Sequence, residues 1–404
     1  MAEILLNPEI KTPRIAAIAT DPPVKDGVLA WGLSPVNKCF FKALDPYLGI
    51  IFCSNARLED IEPQLQKKCI LINRPFIFKI IRKIARMLFG GSMCNRGFRF
   101  ILPKLVRQLK EAKVQWVFSP CDSNPFELER AILLAQGSQL PLAVYLVDDF
   151  IEGSRLVNIK DQCQSAMRDL PHWIGCANKV FVISEGFRER IKALYGIDAT
   201  VLPLVYDLDN PSKIKSDSSK YNQIIFVGNM SHFYADGVKA LATILDELNK
   251  TRDVPLVLRV TLSDISFVRN KIGNFKCIQC APCQRLDELK AEIASSLMAF
   301  VPYSFDVQYK IMTETSFPSK ILPCLAAARH VLVYGPEYSS LVRYFREHEI
   351  GEILSQDDLG LLRESVLAQV KSKTDNSEKY RQVLREGHDP KKVMERFLAV
   401  LQES

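Results

Sequence analysis

Two successive series of apolar strands and helical patterns, split by one polar stretch near the middle, predict an α/β protein. The architecture expected is two Rossmann-like, doubly wound domains facing across a cleft. Two observations carry this. The strands read as continuous apolar runs rather than alternating ones, as strands do when both faces of a parallel sheet are covered. The pattern then stops at 209–220 and restarts.

In the first series, Arg14–Thr20 is a short apolar run ending in an Asp-Pro-Pro turn. Leu48–Cys53, Gln115–Ser119, Pro141–Val147 and Lys179–Ile183 are the next strands, with helical patterns at Glu127–Ala135 and Glu185–Leu194. The stretch Asp209–Lys220 is polar and nearly devoid of apolar residues, which is the composition of a linker. After it come strands at Gln223–Val227, Leu256–Thr261, Met298–Val301 and Val331–Tyr334, with a helix through Val238 to Leu248. The expected boundaries are a first α/β domain at 1–208, a linker at 209–220 and a second α/β domain at 221–384. A terminal helix within 385–404 is expected to pack back toward the first domain. Asp389 and Pro390 supply its N-cap and first residue.

A chain of 404 residues fits two or three domains of about 150 residues each. Hydrophobic content of 48% is enough for full cores, and the net charge of +7 suits anions without selecting one. Met1–Glu9 lacks the basic and apolar regions of a signal peptide, and no apolar run approaches a span of about 20 residues. The 11 cysteines are scattered, which favours free thiols in a reducing compartment. A cytoplasmic location is therefore expected, with the inner face of the membrane as a second possibility. Cys277, Cys280 and Cys283 stand at CxxC spacing, but an iron–sulfur site normally needs a fourth thiolate, and Cys324 is distant. No metal site is expected. No basic–aromatic tract or zinc-finger spacing calls for nucleic acid.

Ligands of doubly wound sheets bind beyond the carboxyl ends of the strands. At such ends stand Asp122-Ser123-Asn124, Asp148-Asp149, Ser184-Glu185, Gly228-Asn229 and Pro302-Tyr303. The segment Thr315–Ala328 reads as a polar loop turning into an apolar helix. Pro318 is expected as its first residue, with Ser319 and Lys320 in the first turn, where free backbone N–H groups favour an anion. An ordinary capped helix with a solvated lysine is the plain alternative. Asp148-Asp149 reads equally as a general base or as a loop pair. Mutual repulsion of two adjacent acids would raise one pKa. His232, just past the Gly228 loop, reaches the cleft or lies on the surface.

The order Ala177–Glu185, Val201-Leu202-Pro203, Ile225–Asn229, Phe300–Tyr303, Ser316–Lys320 and Val333–Pro336 resembles GT-B glycosyltransferases, closest to glycosyltransferase family 4. The resemblance covers about residues 115 to 400 and is poor over the first hundred. It implies transfer of a hexose-like sugar from a nucleotide-diphospho-sugar to an acceptor hydroxyl with retained anomeric configuration. It also implies no cofactor beyond that co-substrate and no metal. The implied donor-binding residues are Gly228, Asn229, Tyr303, Thr315, Ser316, Phe317, Ser319 and Lys320, with Lys310 as a second cation. Asp148, Asp149 and Lys320 are the implied catalytic groups, and Asp122, Ser123 and Asn124 the acceptor contacts.

The chain departs from the family where its paired glutamates should stand, at Thr315 and Pro323, and where its glycine and proline follow, at Ala328 and His330. The Arg and Lys expected after the glycine loop are absent from Asn229–Gly237. Those departures keep two alternatives open: a non-catalytic GT-B saccharide-binding or partner subunit, and a sugar-nucleotide epimerase. The segment 74–89 carries five basic residues and no acid, with Ile77, Ile80, Ile81, Ile84 and Leu88 at helical spacing. It fits peripheral contact with an anionic membrane, and thereby a lipid-linked saccharide acceptor in polysaccharide or glycolipid assembly. A helix packed on the first sheet is the alternative.

Overall fold

A computed structural model describes residues 12–19, 34–53, 57–72, 96–121, 125–149, 152–153, 160–208, 217, 221–262, 264–283, 285–372 and 374–403. The segment 74–89, the triplet Asp122–Asn124 and the 209–220 stretch apart from Asp217 lie outside them. The chain forms two compact units. The first comprises 1–183, 188–205 and 390–404, and the second 184–187 and 206–389.

The first unit holds β1 (Ile15–Ala19), α1 (Ser34–Leu44), β2 (Leu48–Cys53), β3 (Cys69–Leu71), α2 (Arg96–Glu111), β4 (Trp116–Cys121), α3 (Pro125–Ser138), β5 (Leu142–Leu146), α4 (Lys160–Gly175), β6 (Lys179–Val182) and β7 (Thr200–Val201). Most of the helix α5 (Glu185–Tyr195) belongs to it. Its sheet is parallel, in the order β3-β2-β1-β4-β5-β6-β7. The β1 and β5 residues are all buried, as the unbroken apolar runs require. The last helix, α14 (Pro390–Gln402), is also part of this unit. Its Phe397 ring lies 5.0 Å from both Phe118 and Phe181 and 5.8 Å from Phe40.

The second unit holds β8 (Gln223–Phe226), α6 (His232–Leu248), β9 (Val257–Val260), α7 (Ile265–Ile272), β10 (Ile278–Cys280), α8 (Leu286–Ser295) and β11 (Met298–Pro302). Then follow α9 (Lys310–Thr315), α10 (Ile321–Ala327), β12 (Val331–Tyr334), α11 (Ser340–Glu347), β13 (Glu352–Leu354), α12 (Leu359–Ser372) and α13 (Ser377–Gly387). Its sheet is again parallel, in the order β10-β9-β8-β11-β12-β13. The order reverses between β8 and β11, so the crevice where such sheets take ligands opens at the ends of those two strands. Helix α6 lies close over β11. A Cβ at Gly237 would stand 2.5 Å from Pro302 Cβ, so only glycine allows that approach.

One boundary differs from expectation. The helix expected from Pro318 starts at Ile321, with Lys320 as its N-cap. Pro318 O and Ser319 O accept from Ile321 N and Leu322 N at 2.9 and 3.2 Å. The preset φ of proline serves a turn as well as a first helical turn, and here the turn takes it. Among the described residues, no helix is long and apolar enough to cross a membrane.

Candidate functional site

The second unit gathers an unusual set of groups at the switch point. β8 ends at Phe226. Val227 follows it, and then Gly228, whose φ of +89° few other residues adopt. Gly228 N–H donates to Thr261 Oγ1 at 2.9 Å, which fixes the loop across to the end of β9. A Cβ at Gly228 would lie 3.5 Å from Lys320 Cδ, in ordinary van der Waals contact, so the lysine chain runs next to the loop. Lys320 thus arrives from the turn before α10 and lies against the glycine loop.

Lys320 Nζ is buried and has no hydrogen-bond partner. It sits 3.1 Å from the centre of the Tyr234 ring and 4.3 Å from that of Phe226. Ring faces attract a cation, but they replace only part of the hydration it loses. Burial pushes its pKa well below the usual lysine range, with Cys324 opposing weakly. Cys324 itself is pushed up to about 12 by the same burial.

A second orphan lies three residues past Gly228 in the chain. Ser231 is the N-cap of α6, a helix of 17 residues, yet its hydroxyl caps nothing. Ser231 Oγ is buried with no partner. One turn on is Tyr234, whose N–H donates to Ser231 O at 3.1 Å and whose ring holds Lys320. The first turn of α6 has no acid. A positive helix end, an unused hydroxyl and an unpaired amine at a glycine loop together suit an anion such as a diphosphate.

The residues around this set are held from behind. Tyr303, wholly buried, stacks on Tyr234 at 5.7 Å. Its hydroxyl donates to Ser316 O at 3.0 Å and lies 3.1 Å from Ser316 Oγ. Ser340 Oγ donates to the same carbonyl, and Ser184 Oγ donates to Thr315 O at 2.6 Å. Thr315 Oγ1 turns back to Ile311 O at 2.8 Å. Phe317 packs edge-on to Tyr344 at 5.0 Å and against His388. Tyr303, Thr315, Ser316 and Phe317 therefore act here as a buried frame for the loop.

Other predicted positions fall differently. Asn229 is exposed beside Gly228, and Ser319 is half-buried. Lys310 is exposed, 3.8 Å from Glu314 and 5.2 Å above the Tyr338 ring. His232 is exposed at the start of α6, with Lys271 Nζ 3.1 Å from its Nε2. His330, in place of the family proline, joins Glu352 of β13 at 3.0 Å. Cys277 N–H donates to Asp246, and its thiol faces Ala242 O at 3.4 Å. Among the described residues no cluster of histidine, cysteine and carboxylate could hold a metal ion.

In the first unit, the acid pair that follows β5 is divided. Asp149 is buried, pairs with Arg190 of α5 and accepts from Glu152 N–H at 3.0 Å. Among the described residues Asp148 has no such cation. Burial first, and then the Asp149 charge, push its pKa up to about 6. Asp148 is thus able to exchange a proton near neutral pH.

Sequence reasoning singled out Gly228 and Lys320 and passed over Ser231, Tyr234, Phe226 and Thr261, which the structure gathers around them. A serine before a helix looks like any N-cap, and a tyrosine at helical spacing looks like core. The one signal was the absence of an acid between Asn229 and Ala235.

No protein-family model matches the sequence, and no curated protein matches it either. Solved structures do match along nearly its whole length. Anabaena HepE, solved with UDP and glucose, has a TM-score of 0.64 and 11% identity, covering 97% of this chain and 100% of that one. TarM has a TM-score of 0.64 and 8% identity, covering 96% and 99%. The UDP-forming α,α-trehalose-phosphate synthase of Burkholderia xenovorans, solved with glucose-6-phosphate, has a TM-score of 0.58 and 10% identity, covering 96% and 100%. At such identities the likeness is one of fold, and with two parallel Rossmann-like sheets it establishes that this chain has the GT-B fold.

Proposed function

We propose that this chain is a glycosyltransferase that moves a sugar from a nucleotide-diphospho-sugar to an acceptor hydroxyl. The observation that carries the reading is the pair of buried, unpartnered groups, Lys320 Nζ and Ser231 Oγ, beside the Gly228 loop. A departing nucleoside diphosphate needs positive charge and donors aimed at its oxygens. Lys320, Ser231 and the first N–H groups of α6 would supply them once the lysine leaves the aromatic faces and takes up a proton. Asp148 would accept the hydroxyl proton of the acceptor, while Asp149 holds its place through Arg190.

The finer terms of the proposal follow the family resemblance: a family 4 relative, transferring a hexose with retention and without metal or other cofactor. Polysaccharide or glycolipid assembly is the proposed setting. HepE binds UDP and glucose, and that supports testing uridine donors first.

The test is a thermal-shift screen of UDP, GDP, ADP and CMP compounds. A nucleotide that binds the folded state raises the melting temperature by mass action. The expected result is a response to one nucleoside diphosphate that vanishes in Lys320→Met. No response to any nucleotide would refute the donor site. Thr315 and Pro323 stand at positions where the family carries carboxylates, which favours a second reading, a non-catalytic sugar-nucleotide binder. Slow hydrolysis of the bound donor would exclude it.

A further inference from the structure

Helix α2 in the first unit presents a face that none of the described residues covers. At about 100° per residue, Phe98, Leu105 and Leu109 share one side of this helix, and all three are buried. The opposite side is exposed and holds Arg99, Phe100, Lys104, Arg107, Lys110 and Glu111. These six residues fall within an arc of about 140°. Phe100 lies well inside that arc and is 79% exposed, the highest value among the large apolar side chains of the described residues.

The charge on this face is one-sided. Its four cations meet one acid, Glu111, which lies 3.5 Å from Arg107. Among the described residues Arg99, Lys104 and Lys110 have no ionic partner. Another exposed helix shows the usual contrast: on α13, Glu378 pairs with both Arg381 and Arg385. A lone exposed phenylalanine needs no explanation. One ringed by unpaired cations on a single helix face matches the boundary of an anionic bilayer, where an aromatic ring enters the acyl edge and the bases meet headgroups.

The geometry points to the exposed face of α2 as a docking surface for an anionic lipid bilayer. The occupant follows from charge complementarity together with the central aromatic group. A nucleic acid would satisfy the cations but gains less from an isolated apolar ring. The inference stands apart from the donor site and would survive its failure.

Vesicle flotation of the full chain tests it. One set of vesicles mixes phosphatidylcholine and phosphatidylserine equally, and the other is phosphatidylcholine alone. The expected result is flotation with the anionic vesicles only, weakened by added salt. Phe100→Ser should lower partition about tenfold. Lys104→Gln and Lys110→Gln should each lower it about fivefold. The melting temperature should hold in all three, because the replaced side chains are exposed.

Four results would overturn the proposal. They are no flotation, equal flotation with neutral vesicles, tighter binding to single-stranded RNA than to vesicles, and flotation unchanged in the α2 variants. The last, combined with loss on replacing Lys79, Arg82, Lys83 and Arg86 by Gln, would assign the contact to the 74–89 segment instead.

Discussion

The carboxyl ends of the two sheets solve the same electrostatic problem in opposite ways. After β5, two acids meet in a buried place, and the fold supplies a cation, Arg190, for one of them. After β8, the fold buries a lysine and supplies only two aromatic rings and a glycine loop. The first arrangement is complete without a ligand, whereas the second lacks an anion. A buried amine without a hydrogen-bond partner is costly, so such a group persists where a ligand can complete it.

Lys320→Met is the sharpest way to break that contrast. If the lysine awaits a leaving diphosphate, its loss should lower kcat/KM by about 10²–10³, the usual cost of one donor to a developing anion. The nucleotide-free protein should at the same time melt higher, by about 1–3 kcal/mol of stability, because a poorly solvated amine gives way to an apolar chain of similar shape. The sign of the pH effect follows. A lysine with a depressed folded pKa contributes stability that is full above its unfolded value and falls as pH drops through the folded one. Binding a diphosphate should therefore take up a proton, measurable by calorimetry in buffers of different ionisation enthalpy. A variant that is less stable, with unchanged nucleotide response, would make Lys320 an ordinary core residue.

The opposite result is expected at the completed site. Arg190→Met leaves Asp149 as a buried charge without its cation, and breaking such a pair costs about 3 kcal/mol. Chemical denaturation should show a lower midpoint with the slope unchanged. One unit would then lose stability when its cation is removed, and the other would gain it.

The strand framework was open to sequence reading because buried parallel strands are apolar throughout, as at Ile15–Ala19 and Met298–Pro302. Short, half-exposed strands such as Glu352–Leu354 carry no such run. Gly228 and Lys320 were legible by residue type. Their partners were not, because the Lys320–Tyr234 contact joins the turn before α10 to the first turn of α6 across 86 positions of sequence. The reading also placed the anion site at the start of α10, where the turn at Pro318 and Ser319 already uses two of the first N–H groups. The unused cap is Ser231, on α6.

Asp148 allows a finer comparison within the first unit. Its folded pKa of about 6 lies above the unfolded carboxylate value. The stability it contributes is complete below about pH 4 and is lost as pH rises through about 6. Asp148→Asn should remove that loss and raise stability at pH 8 by about 1–2 kcal/mol, discounted for its partial exposure. Activity should fall about 10²-fold, and the rise of kcat/KM around pH 6 should disappear. A more stable variant with an unaltered pH–rate profile would leave Asp148 outside the chemistry.

The smallest effect expected is at Ser231. An N-cap serine that bonds the helix costs about 1 kcal/mol when replaced by alanine. Ser231 makes no such bond, and its oxygen is buried without a partner, so Ser231→Ala should leave stability unchanged or slightly higher. If the hydroxyl serves the diphosphate, nucleotide affinity should fall about tenfold, the worth of one hydrogen bond to a charged group. The two readouts move apart only if the cap is held for a ligand. A loss of about 1 kcal/mol in stability with unchanged affinity would return Ser231 to the role of a helix cap. The anion site would then rest on Lys320 alone.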